Sequence, residues 1–206
     1  MNVRYRCLLT IGFGLLAIVF CLPPRTACAD EPISYAPIGT QTVGLAVGPF
    51  FPLRVMPNQS SKLFGTAAMP SWSMTVTEPI GSSWYRGQVA LGAELLAFET
   101  SEPLTGYGVG ITPKLHYTFV GLSRLQPYVE GGGGPIWTDL GGRVPEQPGQ
   151  FNFVVWGGAG CAWLLTPQWA IHAGHRFVHI SNGGTGAPNS GLNFGLPFAG
   201  LSYSIF

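Results

Sequence analysis

The feature that most constrains this chain is a hydrophobic period of two. Eight segments alternate apolar residues with small or polar ones, at roughly 40–51, 70–80, 84–98, 105–119, 126–139, 151–165, 167–180 and 191–206. Successive side chains of a strand leave on opposite faces, so this alternation gives each segment one apolar face and one that is not. Turn signals separate most of the segments: Pro57-Asn58, Glu78-Pro79-Ile80-Gly81, Gly141-Gly142 with Pro145 and Pro148, and Thr166-Pro167. No segment reads as an amphipathic helix. The run Gly131 to Gly134 falls inside a segment, where small residues ease crowding in a closed interior.

Charge decides what the apolar faces look toward. Only 9% of the residues are charged, against about 25% in an ordinary globular domain, while aromatics reach 13%. That scarcity argues against a soluble β-sandwich. Beyond the leader no apolar stretch of ~18 residues exists, so a transmembrane helix is excluded. A net charge of +1 offers nothing to nucleic acid. The expected fold is all-β, an eight-stranded antiparallel transmembrane β-barrel of the outer membrane. In the last segment Leu201, Tyr203 and Ile205 alternate with Gly200, Ser202 and Ser204, and the chain ends on Phe206. An aromatic end resembles the assembly signal of such barrels, although Phe206 is out of phase with the apolar residues before it.

The first residues read as an export signal rather than as fold. Arg4 and Arg6 precede an apolar run from Leu8 to Leu22, and Ala27-Cys28-Ala29 forms a small-residue cleavage site. A membrane anchor is disfavoured by the short core and by Pro23-Pro24, and a lipoprotein signal by Arg25. The expected organisation is a signal peptide over 1–29 and a single barrel domain over 30–206. Cleavage removes Cys7, Cys21 and Cys28 and leaves Cys161 alone, so no intrachain disulfide is expected. Cys161 lies in an apolar run and reads as a small buried hydrophobe.

Chemistry concentrates in residues 175–194. A hydroxyl nucleophile needs a base to take its proton, and the base needs a third group to hold its tautomer. His179 and Ser181 are two apart on a strand and leave on one face. Trp169, Ile171, Ala173, His175 and Phe177 share that face and make it the lipid side. Ala170, His172, Gly174, Arg176, Val178 and Ile180 share the other, where His172 and Arg176 suit a polar lumen. With both termini in the periplasm, strand seven ends outward, so the pair lies at the outer boundary. Asn193, in phase with Leu201 and Tyr203, points to the same side and can accept the Nδ1 proton of His179. That phase turns Phe194, Leu196 and Phe198 inward unless a bulge at Pro197 shifts it.

The run His179-Ile180-Ser181-Asn182-Gly183, followed by Pro188-Asn189-Ser190-Gly191-Leu192-Asn193, resembles the signature of the lipid A 3-O-deacylase family (PagL type). The resemblance implies an exported eight-stranded outer-membrane barrel with a Ser-His-Glu triad in its last two strands. It makes His179 the general base and Ser181 the nucleophile, with Asn189, Asn182 and backbone amides near Gly183 as oxyanion donors. The family's glutamate falls at Asn193. An amide orients a histidine but does not offset the charge of its imidazolium. A His-x-Ser-Asn-Gly run with an asparagine third member is similar to outer-membrane phospholipase A, a larger barrel.

The resemblance implies a serine esterase that removes the ester-linked 3-O-acyl chain of lipid A, acting on lipopolysaccharide among outer-membrane lipids; a monomer with no cofactor and no metal is expected. The alternatives are a phospholipase A-like lipid hydrolase and a non-enzymatic structural barrel. Among the remaining residues, Arg176 is expected to pair in the lumen with an acid such as Glu94 or Glu130 rather than to meet a lipid A phosphate. His116 and His172 lack metal-ligand spacing and read as lumen or surface residues. Trp72, Trp84, Trp137, Trp156, Trp163 and Trp169 read as interfacial girdles. Gly106 to Gly110 is glycine in a strand, with no helix after it to bind a nucleotide.

Overall fold

The computed structural model describes residues 35–55 and 60–206. The leader over 1–29 and the Pro57-Asn58 turn lie outside the described residues. Eight strands follow one another: β1 Gln41–Pro52, β2 Phe64–Thr75, β3 Gly87–Glu102, β4 Gly106–Phe119, β5 Leu125–Thr138, β6 Phe151–Leu164, β7 Trp169–Ser181 and β8 Leu192–Ile205. Each is antiparallel to its neighbours, and β8 pairs with β1 to close a barrel. Closure leaves no strand edge unpaired, which a sheet with an apolar exterior requires.

Two boundaries differ from the expectation. β2 begins at Phe64, because Gly65 to Ala68 are too small to show an alternation of hydropathy, and it ends at Thr75. Pro70 lies inside it: Pro70 pairs with Leu45 of β1, while the pairing with β3 skips Met69 and Pro70. A proline has no N–H for a ladder and is tolerated where pairing lapses. β3 begins at Gly87, because Ser83–Tyr85 turns as a single 3-10 helix.

The ends of the barrel differ in their connections. One end carries 53–63, 103–105, 139–150 and 182–191, and the other carries 76–86, 120–124 and 165–168. The exterior is an apolar band in which Val43, Leu45, Val47, Val109, Ile111 and Leu115 are all exposed. Cys161 also faces outward on β6, so it is an exposed thiol and not a buried one. Trp72, Trp84 and Trp163 are exposed, but Trp156 is not a girdle residue. It occupies an inward position of β6, and its Nε1 donates to Thr112 Oγ1 at 3.3 Å.

The interior is layered along the barrel. Toward the 182–191 end it is apolar: Phe50 meets Phe98 and Phe194 edge-on at centroid distances of 5.7 and 4.9 Å. Leu96, Val178, Ile180 and Leu196 complete that layer and leave a void of only about 20 Å³. Beneath it sits an ion cluster. Arg176 reaches Glu94 with Nη1 and Nη2 at 2.6 and 3.0 Å, and Glu130 with Nε at 2.7 Å. Lys114 lies 3.6 Å from Glu94 and 3.4 Å from Glu130. The guanidinium carbon is 4.0 Å from the centroid of the Trp156 ring. Arg176 therefore pairs with both acids named from the sequence. The remaining lumen is a polar cavity of about 160 Å³ that includes Thr42, Ser73, Gln88 and His172. His172 Nε2 is 2.6 Å from Ser202 Oγ, and His116 Nδ1 is 3.4 Å from Glu130.

The 139–150 connection folds inward and closes the apolar end. Leu140, Val144, Glu146 and Gln147 are buried. The Glu146 carboxylate accepts from Ser60 N at 2.6 Å, Ser61 N at 2.8 Å and Ser61 Oγ at 2.5 Å. Burial works to raise its pKa, but these donors outweigh it and hold the carboxyl below its ordinary range. The carboxylate thus ties the 139–150 segment to the chain entering β2.

Candidate active site

β7 carries one exterior and one interior face, as its alternation predicts. Ala170, Arg176, Val178 and Ile180 are buried in the lumen, while Ile171, Ala173, His175 and Phe177 are exposed outside. His179 and Ser181 share the outer phase and are half-buried. The β7–β8 register runs unbroken from Trp169↔Tyr203 to Ile180↔Leu192. Pro197 pairs in step with His175, so the bulge considered at Pro197 is absent, and Phe194, Leu196 and Phe198 point into the core.

This register sets Asn193 directly opposite His179. His179 Nδ1 donates to Asn193 Oδ1 at 2.8 Å. That bond fixes the tautomer with the proton on Nδ1 and leaves a lone pair on Nε2, the form a general base needs. Asn193 is fully buried, and its backbone carbonyl accepts from Leu53 N at 2.8 Å. The residue's backbone is thereby tied to the end of β1 while its side chain meets the imidazole. Ser181 is the last residue of β7. It pairs with Phe153 of β6 but lies beyond the last β7–β8 pair. No hydrogen bond joins Ser181 Oγ to His179 among the described residues. Such bonds often tighten only when substrate binds.

The connection 182–191 is built by asparagines. Asn182 N donates to Asn189 Oδ1 at 3.2 Å, Gly184 N donates to Asn182 Oδ1 at 2.9 Å, and Asn182 Nδ2 donates to Gly186 O at 2.8 Å. The Asn182 side chain is therefore spent on loop structure. Asn189 uses its oxygen in the loop, which leaves its Nδ2 as the donor end. Gly183 has φ of 66°, a left-handed conformation suited to glycine.

Gly191 is the residue that reading the sequence missed. Its φ is 69°, and a Cβ there would lie 2.5 Å from His179 Cε1. The backbone thus forms a wall against the imidazole, at a distance no other residue type permits. Gly191→Ala is expected to push the ring off Asn193 and to strain the turn, lowering turnover by roughly a hundredfold. Steady-state kinetics of the refolded variant check this. Its only signal in the sequence is a glycine two residues before Asn193.

A family model described as lipid A 3-O-deacylase (PagL) matches residues 61–202, a span that includes His179, Ser181, Asn189 and Asn193. The chain belongs to the lipid A 3-O-deacylase (PagL) family. Among solved structures, the crystal structure of the outer membrane enzyme PagL superposes with a TM-score of 0.54 at 22% identity, covering 77% of this chain and 97% of that one. Neisserial surface protein A superposes with a TM-score of 0.57 at 15% identity, covering 81% and 97%. These likenesses are of fold: a closed outer-membrane barrel of the PagL kind. No curated protein sequence matches the chain. Within this PagL-family barrel the exterior band described above is the lipid-facing surface, and His179 opens onto it.

Proposed function

We propose that this chain is a serine esterase that removes the 3-O-linked acyl chain of lipid A in the outer leaflet. The observation that carries the reading is the 2.8 Å bond from His179 Nδ1 to Asn193 Oδ1, which presents Nε2 on the same outward face as Ser181. The end bearing 139–150 and 182–191 has most of the long connections, as the extracellular end of such barrels does. A site on the outward face at that end meets the leaflet where lipid A resides.

The chemistry runs in two balanced steps. His179 Nε2 takes the proton of Ser181 as Oγ attacks the ester carbonyl. Asn189 Nδ2 and the Gly183 N–H hold the oxyanion, with Asn182 supporting both by shaping the loop; each such donor is typically worth about 3–4 kcal/mol. Collapse breaks the ester bond, and His179 gives its proton to the departing sugar oxygen, which leaves as the free hydroxyl. Water, deprotonated by His179, then attacks the acyl-serine, and His179 passes that proton to Ser181 Oγ as the fatty acid leaves. Lipid A from cells expressing the chain is expected to lose one hydroxyacyl group by mass spectrometry. An unchanged profile with folded protein in the outer membrane would overturn the reading.

Asn193 favours a second reading, phospholipid hydrolysis with the same Ser181 and His179. An amide in place of the acid leaves the imidazolium less stabilised, which is the departure from the lipid A family's pattern. Fatty acid released from purified phospholipid, with and without calcium, separates the two substrates.

A further inference from the structure

We propose that Gln147 is a positioning residue for the nucleophile, acting from inside the barrel; this rests on the reading of Ser181 as that nucleophile. Gln147 lies in the 139–150 segment and has no exposed surface. Its Nε2 donates to Ile180 O at 3.1 Å. That carbonyl belongs to the peptide unit whose nitrogen is Ser181's own, so the bond restrains the plane from which the Ser181 Cα projects. The restraint matters because of where β7 stops. Ser181 has a strand partner on the β6 side, Phe153, but none on the β8 side, where pairing ends at Ile180↔Leu192. Its neighbours in the chain are held differently: His179 is clamped to Asn193, and Asn182 is built into the loop through Asn189 and Gly186. Gln147 supplies the missing hold from the luminal side.

Gln147 is itself fixed. Its backbone carbonyl accepts from Gly142 N at 2.7 Å, and its backbone N–H donates to Val144 O at 3.2 Å. The adjacent Glu146 is anchored by Ser60 and Ser61. The path from the chain entering β2, through Glu146 and Gln147, to Ile180 is thus a set of short polar contacts inside an apolar layer. Gln147 Oε1 has no hydrogen-bond partner among the described residues. A single amide donor is therefore what the buried side chain contributes. A leucine of similar size removes the bond and the unsatisfied oxygen but leaves Ile180 O without this donor, so its stability is measured beside its activity.

The experiment compares the full-length refolded protein with Gln147→Leu and Gln147→Glu in detergent micelles. The readouts are the rate of Ser181 labelling by a fluorophosphonate, kcat and KM on lipid A, and the unfolding midpoint in urea. In Gln147→Leu, labelling and kcat are expected to fall together about tenfold or more with KM nearly unchanged, the pattern of a misplaced nucleophile. In Gln147→Glu the carboxylate cannot donate. Its labelling rate relative to wild type should rise as pH falls and the carboxyl becomes protonated. Labelling of Gln147→Leu at the wild-type rate overturns the proposal. If that variant also loses stability, the pH trend of Gln147→Glu decides, and a flat ratio overturns the proposal. Failure of the wild type to label, or equal labelling of Ser181→Ala, instead refutes the nucleophile reading and not the role of Gln147 alone.

Discussion

If Ser181 is the nucleophile proposed above, Ser181→Ala is expected to leave lipid A fully acylated in cells where the unaltered chain strips one hydroxyacyl group. The loss should be at least about a thousandfold, because a nucleophile acts as a unit with its base and removing it forfeits the covalent route entirely. Folding should be untouched. Ser181 is half-buried at the end of β7 and forms no side-chain hydrogen bond among the described residues, so alanine vacates little. The variant should show the same gel shift between heated and unheated samples. Retained deacylation by Ser181→Ala would place the chemistry elsewhere.

Arg176→Met should have the largest effect on stability while leaving the site's own residues in place. Arg176 is 3% exposed and bonds both Glu94 and Glu130. Removing one partner from a buried ion pair typically costs about 3–5 kcal/mol, since the remaining charges lose their counter-ion without gaining water. Lys114, at 3.6 and 3.4 Å from the two acids, carries a single charge and cannot balance both. The urea midpoint of the refolded barrel should drop accordingly. Adding Glu94→Gln to Arg176→Met should restore much of it, because Lys114 then balances the one remaining acid, Glu130, at 3.4 Å. If the single and double variants unfold alike, the cluster is not what holds the middle of the barrel.

Much of this molecule was legible because a strand writes its two environments in alternate letters. In β7, His172 and Arg176 alternate with Ile171, Ala173 and Phe177, so lumen and lipid faces separated on paper and the outward phase of His179 followed. Asn193 was placed by the same parity, and the unbroken register keeps it there. Legibility failed where side chains are small or where the environment is not periodic. Gly65 to Ala68 carry too little hydropathy to show that β2 had begun. Trp156 obeys the inward parity of β6, but its size suggested a girdle; inside, its ring lies against the guanidinium of Arg176. Cys161 sits on the opposite parity and faces out. Glu146, Gln147 and Gly191 belong to connections whose contacts span distant segments, and nothing local announces them.

With His179 as the proposed base, its outward placement governs how a substrate arrives. The barrel's own interior, filled at that end by Phe50, Phe98 and Phe194, offers no route through it. Under the proposed reading, encounter is a search in two dimensions, and the relevant concentration is a mole fraction within the leaflet. Diluting lipid A with inert detergent at constant bulk concentration should slow the reaction as strongly as removing substrate does.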